Sequence, residues 1–338
     1  MGIRSTSSLQ SFFDDFLQSG KDAVTPPPGP FSATGGNATS TPGNGYTYHV
    51  FTGNGTFVVS GNPGPVEYLV VASGGGGGAR HGSGGGAGGL RTNVSGNPLA
   101  GSPMTLSAGS YPVVVATSGG SPVSGPAATD GNQGGPSQFN ASSPINTTGG
   151  GAGVQSPGPS PAIFGGSGGG RHDPAAHPDS PGNAGGYSPP EGNPGGVGGG
   201  PNAGGPGGNG HPIPAFASPI IGPMLATAGV PSPEVSAFNS AVGPTGLYAG
   251  GGGGGQWSNP GGPSGGGGGG AGSPGNNSTG DASGGLGGPG GGGAGGRGTG
   301  GPAAQPGVKY TGGGGGGGGG TDASGAGGGG IVIIRYPV

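Results

Sequence analysis

The amino-acid sequence predicts a mainly β protein in which glycine-rich segments pack as polyglycine II helices. Glycine supplies 104 of the 338 residues, it occurs in uninterrupted runs, and strongly β-forming segments border those runs. Glycine runs have no side chains to bury, so they either remain disordered or pack through their backbone N–H and C=O groups. We expect the second outcome: a small antiparallel β base, a bundle of packed polyglycine II helices, and a short N-terminal α-helix.

The polyglycine II prediction depends on a period of three residues. From Glu191 the chain places Pro194, Val197 and, further on, Pro212 at every third position, and most residues between them are glycine. In a helix with three residues per turn, this spacing puts the side chains on one edge and leaves two glycine edges for neighbouring segments. A disordered linker is the alternative interpretation.

Residues 1–24 contain an amphipathic helix. Its apolar residues have the spacing i, i+3, i+4, i+7 and i+8 of a single helical face. They are Leu9, Phe12, Phe13, Phe16 and Leu17. Because so short a helix is marginal alone in water, we expect it to dock onto another protein or to self-associate, with a homotrimer left open. Packing on the chain's own β region is the alternative. Residues 25–45, rich in Pro, Gly, Ser and Thr, are predicted to be a linker.

The β-rich base is expected over residues 46–147, and a C-terminal strand at 331–338 is expected to return to it. Val66–Ala72 is almost wholly apolar and runs into a glycine run, whereas Ile331–Tyr336 emerges from one. Because one apolar strand precedes a glycine run and the other follows one, we predict that the two strands are central neighbours in one sheet.

Two β-hairpins are predicted within the base. Tyr46–Val50 alternates in polarity, and Thr56–Ser60 follows it across a Gly-Asn-Gly turn. Thr105–Ser107 and Tyr111–Ala116 flank a second short turn. Residues 211–248 are expected to form mostly irregular coil beside the base.

Residues 148–330 are predicted to form the polyglycine bundle, with loops at its far end. The direction of the segment at 284–301 is left open. Inserts between glycine runs carry the candidate recognition side chains: Arg80, His81, Arg171, His172, Asp173, His177, Asp179, Tyr187 and Trp257. Arginine and aromatic side chains are common anchors of binding interfaces. Solvated turns are the plainer interpretation of each one.

Composition excludes several function classes. Charged residues make up 6% and the formal net charge is −3, so the chain lacks the basic surface that nucleic-acid binding requires. It contains no cysteine, which excludes disulfides and thiolate metal sites. We see no signal peptide and no apolar run of about 20 residues, and therefore expect no classical export and no membrane span.

Catalytic signals are also weak. His172, Asp173, His177 and Asp179 have a spacing that matches no ligand pair on a helix or strand. Glycine-rich matches to phosphate-binding loops lack the GK[ST] signature. We therefore expect a protein that is not an enzyme and has no cofactor and no metal.

Three stretches carry a resemblance to a known family: VEYLVVASGGGGG, GPTGLYAGGGGGG and the ending GGGGIVIIRYPV. They resemble glycine-rich phage tail proteins, over roughly residues 46–338. The alternation of glycine tracts with variable inserts is also similar to the receptor-binding adhesins at the tips of long tail fibres. These likenesses imply a virion protein of a tailed bacteriophage, made in the host cytoplasm and located in the tail or a fibre.

The same resemblance implies the partners. The tip loops would bind a host-surface receptor, either a protein or a glycan, and the N-terminal helix would attach to another tail or fibre protein or to a second copy. A structural fibre, shaft, collar or capsid subunit without receptor binding is the alternative. An ice-binding protein is a remote one, since the row from Glu191 to Pro212 lacks a regular Ala/Thr face.

Overall fold

The structure, a computed structural model, describes residues 29–124, 129–141, 143–155, 165–171, 181–197, 204–256, 285, 287–298 and 303–338. The predicted N-terminal docking helix, with Leu9, Phe12, Phe13, Phe16 and Leu17, lies outside the described residues.

The described residues form β-strands of two to eight residues. They are β1 (Ser32–Thr34), β2 (Ala38–Ser40), β3 (Tyr46–Phe51), β4 (Gly55–Ser60), β5 (Gly64–Val71), β6 (Leu90–Thr92), β7 (Met104–Leu106), β8 (Gly109–Val114), β9 (Gln138–Phe139), β10 (Ile145–Asn146), β11 (His211–Pro212), β12 (Leu247–Tyr248) and β13 (Ile331–Pro337). The first two lie within the segment predicted to be a linker.

These strands form antiparallel sheets. The largest has the order β2-β3-β13-β5-β6, with β7 also paired to β5. The second has the order β1-β4-β8-β9-β10, and β11 pairs with β12 in a small third sheet.

The prediction that the C-terminal strand is a central neighbour of the strand ending near residue 72 is confirmed. In the largest sheet, β13 lies between β3 and β5, with Ile333 opposite Leu69 of β5. Ile331 and Ile333 belong to one apolar core, and Val332 and Ile334 belong to another. Because successive side chains of a strand point to opposite faces, a sheet buried on both faces requires such a continuous apolar run.

Both predicted hairpins are wrong. β3 pairs with β2 and β13, whereas β4 pairs with β1 and β8. Likewise β7 pairs with β5 and β8 with β4. The burial patterns give the reason: β3 is buried along nearly its whole length, while β4 alternates between buried and exposed residues. Each short turn therefore carries the chain from one sheet of a sandwich to the other.

The region predicted to be irregular coil instead contains a 3-10 helix (Pro214–Phe216) and the α-helices α1 (Ser218–Thr227) and α2 (Ser232–Val242). Each α-helix has a proline in its first turn, where the missing N–H costs no hydrogen bond. Pro223 inside α1 obscured the helical signal, because proline normally interrupts a helix.

The helices supply the third layer of the fold. Ile221 and Leu225 of α1 and Phe238 and Val242 of α2 join the core on one face of the largest sheet. The five-stranded sheet covers the other face, where Phe57 of β4 and Phe139 of β9 are fully buried. The six-stranded sheet is thus the middle layer of the protein.

The predicted fold class is therefore wrong in its architecture. The described part of the chain is mainly β-sheet, but its sheets form a layered core rather than a small base, and it contains two short α-helices and no helix bundle. The prediction gave glycine the main architectural role because glycine dominates the composition. It underestimated the apolar strands, whose two buried faces require a second sheet and a helical layer to cover them.

The glycine-rich segments are extended and hydrogen-bonded to one another through their backbones. We call them the glycine array. It comprises residues 73–78, 84–89, 119–120, 131–135, 149–154, 165–170, 192–197, 204–210, 250–255, 287–296, 312–320 and 325–330. The N–H groups of Gly74, Gly75 and Gly76 donate to three different segments, and that of Gly77 returns to the first. Their acceptors are the carbonyl oxygens of Gly328, Gly86, Asn132 and Gly325, at 2.9, 2.9, 2.9 and 3.0 Å.

Close approach of backbones explains why these positions are glycine. A Cβ atom built on Gly75 would overlap the carbonyl group of Gly151, and one on Gly315 would overlap that of Gly325. The neighbouring backbones occupy the space that a side chain would need, so only glycine permits this packing.

Candidate binding site at the distal end of the glycine array

The segments of the glycine array end together on the side away from the large sheets. We call this the distal end, and it comprises residues 79–83, 129–130, 154–155, 171, 255–256, 296–297 and 318–322. Main-chain hydrogen bonds join these residues: Ala79 to Thr129 (3.0 Å), Ser83 to Val154 (2.8 Å), Gly255 to Gly82 (2.8 Å), Gln256 to Gly296 (3.0 Å) and Gly320 to Gln256 (3.1 Å), donor first.

A tight turn at residues 79–83 projects two charged or ionisable side chains into this end. The N–H of Gly78 donates to the carbonyl of Ser83 at 3.0 Å and closes the turn. Arg80 and His81 have φ values of 47° and 58°, in the left-handed region. For residues other than glycine this conformation costs about 1–2 kcal/mol each. The turn therefore holds Arg80 and His81 at positive φ against their intrinsic preference for negative φ.

His81 is buried, with 5% of its surface exposed. Burial lowers the pKa of its imidazole below the ordinary value; a hydrogen bond with the backbone of Gln256 opposes the shift, and the charge of Arg80 lowers the pKa further. The ring is therefore neutral at pH 7, and one nitrogen acts as a donor while the other acts as an acceptor.

Three other side chains at the distal end have buried polar atoms without a hydrogen-bond partner. They are Nε of Arg80 and the Oε1 atoms of Gln155 and Gln256. The backbone of Gln155 is fixed by a hydrogen bond from its N–H to Oδ1 of Asp130, at 2.8 Å. Leaving a buried polar group unsatisfied costs about 1–3 kcal/mol, so three such atoms at one end mark a place that a ligand could complete.

Arg171 lies on a neighbouring segment at the same end. It is 9% exposed, its N–H donates to the carbonyl of Gly196 at 3.1 Å, and its carbonyl accepts from Gly205 at 2.7 Å. The preceding residue, Gly170, accepts from Gly84, which follows the turn that holds Arg80 and His81. The structure therefore brings together three of the residues predicted to form the recognition surface.

One further predicted recognition residue, Tyr187, is described, and it is not at the distal end. Tyr187 lies beside the largest sheet, where its ring packs under the guanidinium of Arg91 on β6 at 4.4 Å. His172, Asp173, His177, Asp179 and Trp257 lie outside the described residues.

Sequence reasoning did not select Gln155 or Gln256 as site residues. A shared signal could have identified them: each is the first long polar side chain after an array segment, at 149–154 and 250–255. Where side chains are absent along a segment, the first one after it marks the segment's end.

The distal end is suited to hydrogen bonding. Amide oxygens accept, a guanidinium donates, and a neutral imidazole does both, which matches sugar hydroxyls or polar protein loops. Within the described ranges, no group of three or more His, Asp or Glu side chains is arranged to hold a metal ion. In the same part of the chain, no helix has the length and apolar character needed to cross a membrane.

Comparison with known proteins gives one match. The family model for the glycine-rich domain matches residues 49–298, which is more than half of the chain. No curated protein and no solved structure matches the sequence.

Proposed function

We propose that this chain, which belongs to the glycine-rich domain family, is a virion protein of a tailed bacteriophage and attaches the particle to the host surface. The strand motifs near residues 66–78 and 326–338 support a phage tail protein by resemblance. We assign receptor binding to the distal end, with Arg80, His81, Arg171, Gln155 and Gln256 as its contacts.

The observation that carries the proposal is the set of unsatisfied polar atoms at the distal end. Arg80, Gln155 and Gln256 each keep a buried polar atom without a partner. Elsewhere in the array many backbone N–H groups donate to carbonyl oxygens of neighbouring segments. A receptor that supplies hydroxyl or amide groups to these three atoms would recover the free energy that their burial costs.

The architecture fits a recognition role. Array segments have almost no side chains to present, so changes at the distal end alter a binding surface without altering the packing beneath it. The layered core anchors the opposite ends of the segments through β5, β6 and β13. This separation allows specificity to change while the fold is retained.

Binding of the purified full chain to bacterial cells tests the assignment. Gln155→Ala and Gln256→Ala should each weaken cell binding by about 3- to 10-fold, because each removes an acceptor from the surface. Asn209→Ala is the matched control, since Asn209 is an exposed amide on the side of the array. Equal binding by all three variants would contradict receptor binding at the distal end.

Location is tested separately. Gold-labelled antibody against the chain should mark the tail or fibres of virions in electron micrographs. Label confined to capsids, or absent from virions altogether, would contradict the proposal of a tail adhesin.

A structural fibre or shaft subunit is the second candidate, and one observation favours it. Pro194 and Val197 are exposed on one array segment, Val197 by 45%, and Asn209 is exposed on the neighbouring segment, where its carbonyl accepts from Asn193 Nδ2 at 2.9 Å. These exposed side chains offer a surface for lateral packing between copies. Val197→Asp should block assembly of fibres if this role is correct, and should leave cell binding unchanged if the adhesin role is correct.

A further inference from the structure

A cavity of about 380 Å³ lies at the open edge between the two large sheets. Its walls come from β5, β6, β7 and β10, from the segment at 101–103, and from Ala141 and Ser143. This volume is near the lower end of the range of about 300–1,000 Å³ for ligand sites. The cavity is therefore suited to one small molecule rather than to a polymer chain.

Tyr68 on β5 lines this cavity, and its hydroxyl has no hydrogen-bond partner among the described residues. The residue is 2% exposed, and its hydroxyl lies beside Gly101 at the cavity wall. Burial raises the pKa of this phenol, although the charge of Arg91 lowers it somewhat. A tyrosine O–H inside a protein normally finds an acceptor, and a ligand in the cavity that Tyr68 lines would supply one.

Arg91 on β6 supplies a cation at the same wall. Its guanidinium stacks on the ring of Tyr187 at 4.4 Å, and its Nη1 donates to the carbonyl of Asn146 at 3.5 Å. In the part of the chain that is described, no carboxylate forms an ion pair with Arg91. Glu191, nearby in the fold, instead accepts from the N–H groups of Thr148 and Gly185. The guanidinium thus keeps most of its donors available for a ligand.

The remaining lining is mixed. Met104, Leu106 and Ile145 contribute apolar surface, while Ser102, Thr105 and Ser143 contribute hydroxyl-bearing residues. An arginine beside a tyrosine hydroxyl binds a carboxylate well, because charge-assisted hydrogen bonds are about twice as strong as neutral ones. The hydroxyl-bearing and apolar walls match the two kinds of surface that a sugar ring presents.

We propose that this cavity binds a monosaccharide-sized carboxylate, a sugar acid, whose carboxylate is held by Arg91 and by the hydroxyl of Tyr68. Tyr187 is a positioning residue that fixes the guanidinium by stacking. The site lies beside the layered core and uses none of the distal-end residues, so it does not depend on the proposed adhesin role.

Titration calorimetry of the full chain with sodium D-glucuronate tests the proposal. Tyr68→Phe should weaken binding by about 10-fold and Arg91→Gln by about 100-fold, since each removes a donor to a charged group. D-glucose should bind far more weakly than D-glucuronate. Lys309→Gln, which removes a cation remote from the cavity, should bind as the unaltered chain does.

Tyr187 separates positioning from direct contact. Tyr187→Phe keeps the aromatic ring and should leave glucuronate binding unchanged, while Tyr187→Ala should weaken it by about 3-fold through loss of the stacking. Thermal unfolding checks that each variant is folded, and Tyr68→Phe, which removes only one oxygen atom, should unfold as the unaltered chain does.

Three results would overturn the site. They are no binding of D-glucuronate at millimolar concentration, equal binding of glucose and glucuronate, and binding that neither Tyr68→Phe nor Arg91→Gln weakens. Binding of inorganic phosphate as tight as that of glucuronate would also overturn the assignment of a sugar acid.

Discussion

The layered core and the glycine array are both buried, yet they are packed by different groups. In the core, side chains such as Leu69 and Ile333 are fully buried against neighbours from other layers. In the array, glycines with no side chain are buried against the backbones of other segments. A chain can therefore form an ordered interior without apolar side chains when its backbone groups pair in several directions.

Hydrogen-bond direction is the physical difference. A strand of the largest sheet forms hydrogen bonds with two neighbours that lie in the same sheet, as β13 does with β3 and β5. In the array, successive N–H groups point to different segments, as those of Gly74 to Gly76 do. Packing can therefore extend in two dimensions, and the close approach it requires excludes Cβ atoms.

The largest effect is expected where a single methyl group is added to the array. Gly75→Ala places a Cβ into the carbonyl of Gly151. Backbones on both sides must then separate, and the loss of several hydrogen bonds at about 0.5–1.5 kcal/mol each approaches the total stability of a domain, about 5–15 kcal/mol. We expect little folded protein, measured as soluble yield and urea unfolding.

Gly29→Ala is the matched control for that substitution. Gly29 has nothing within 4 Å of a built Cβ atom, so the variant should fold as the unaltered chain does. A stable Gly75→Ala variant with an unchanged urea midpoint would contradict close backbone packing at this position.

Removing atoms from the core should lower the free energy of unfolding less than Gly75→Ala does. The cause is also different, because the substitution leaves a cavity instead of adding atoms that overlap. Leu69→Ala deletes a fully buried side chain and leaves a cavity, and such changes lower the free energy of unfolding by about 2–5 kcal/mol. Urea unfolding followed by circular dichroism measures this directly. A loss below about 1 kcal/mol would mean that the core is loosely packed at this position.

Acid should destabilise both regions through buried histidines. Burial lowers the pKa of His49 in the core, His81 at the distal end and His211 on the small sheet below the ordinary 6.5. Below pH 6.5 the unfolded chain binds more protons than the folded one, so the free energy of unfolding falls as the pH drops toward the folded-state pKa values. We expect a smaller loss than either substitution causes, measured by urea unfolding between pH 7.5 and pH 5.

Two variants assign that pH dependence to the regions. His81→Asn should reduce the loss from the array, and asparagine tolerates the positive φ at this position. His49→Gln should reduce the loss from the core. An unchanged pH profile in both variants would contradict the assignment.

The smallest effect is expected at the surface between the two regions. Lys309 Nζ lies 2.6 Å from Glu234 Oε1 of α2, but the lysine side chain is 59% exposed. Exposed ion pairs contribute about 0–1 kcal/mol, so Lys309→Gln should change the free energy of unfolding by less than about 1 kcal/mol. A larger change that persists at high salt would mean that the pair has a structural role.

The strands of the core were the most predictable part of the fold. Tyr46–Val50, Val66–Ala72 and Ile331–Tyr336 combine β-branched and aromatic residues with clear boundaries, and the structure contains strands there. Their pairing was less predictable, because a short turn such as Gly53–Gly55 is compatible with a hairpin or with a crossing between sheets. Local sequence does not distinguish these, since the choice depends on which faces other layers cover.

The candidate site was predictable only in part. Arg80, His81 and Arg171 interrupt or follow glycine segments, so their position at segment ends followed from the spacing. Tyr187 has the same kind of sequence context, yet it packs on Arg91 beside the largest sheet. The sequence shows where a glycine segment ends. It does not show whether that point lies at the distal end or beside the sheets, because this depends on the direction in which the segment crosses the array.

Amide hydrogen exchange tests most directly whether the glycine array is an ordered structure held by backbone hydrogen bonds. The N–H of Gly314 donates to the carbonyl of Gly250 at 3.0 Å, and that of Gly315 to the carbonyl of Gly75 at 2.9 Å. If the array is held together by its backbone, these amides should exchange at least about a thousandfold more slowly than in an unstructured peptide, in the range of the β13 amides. Exchange at the unstructured rate, with β13 still protected, would show that the glycine array is not held by these hydrogen bonds.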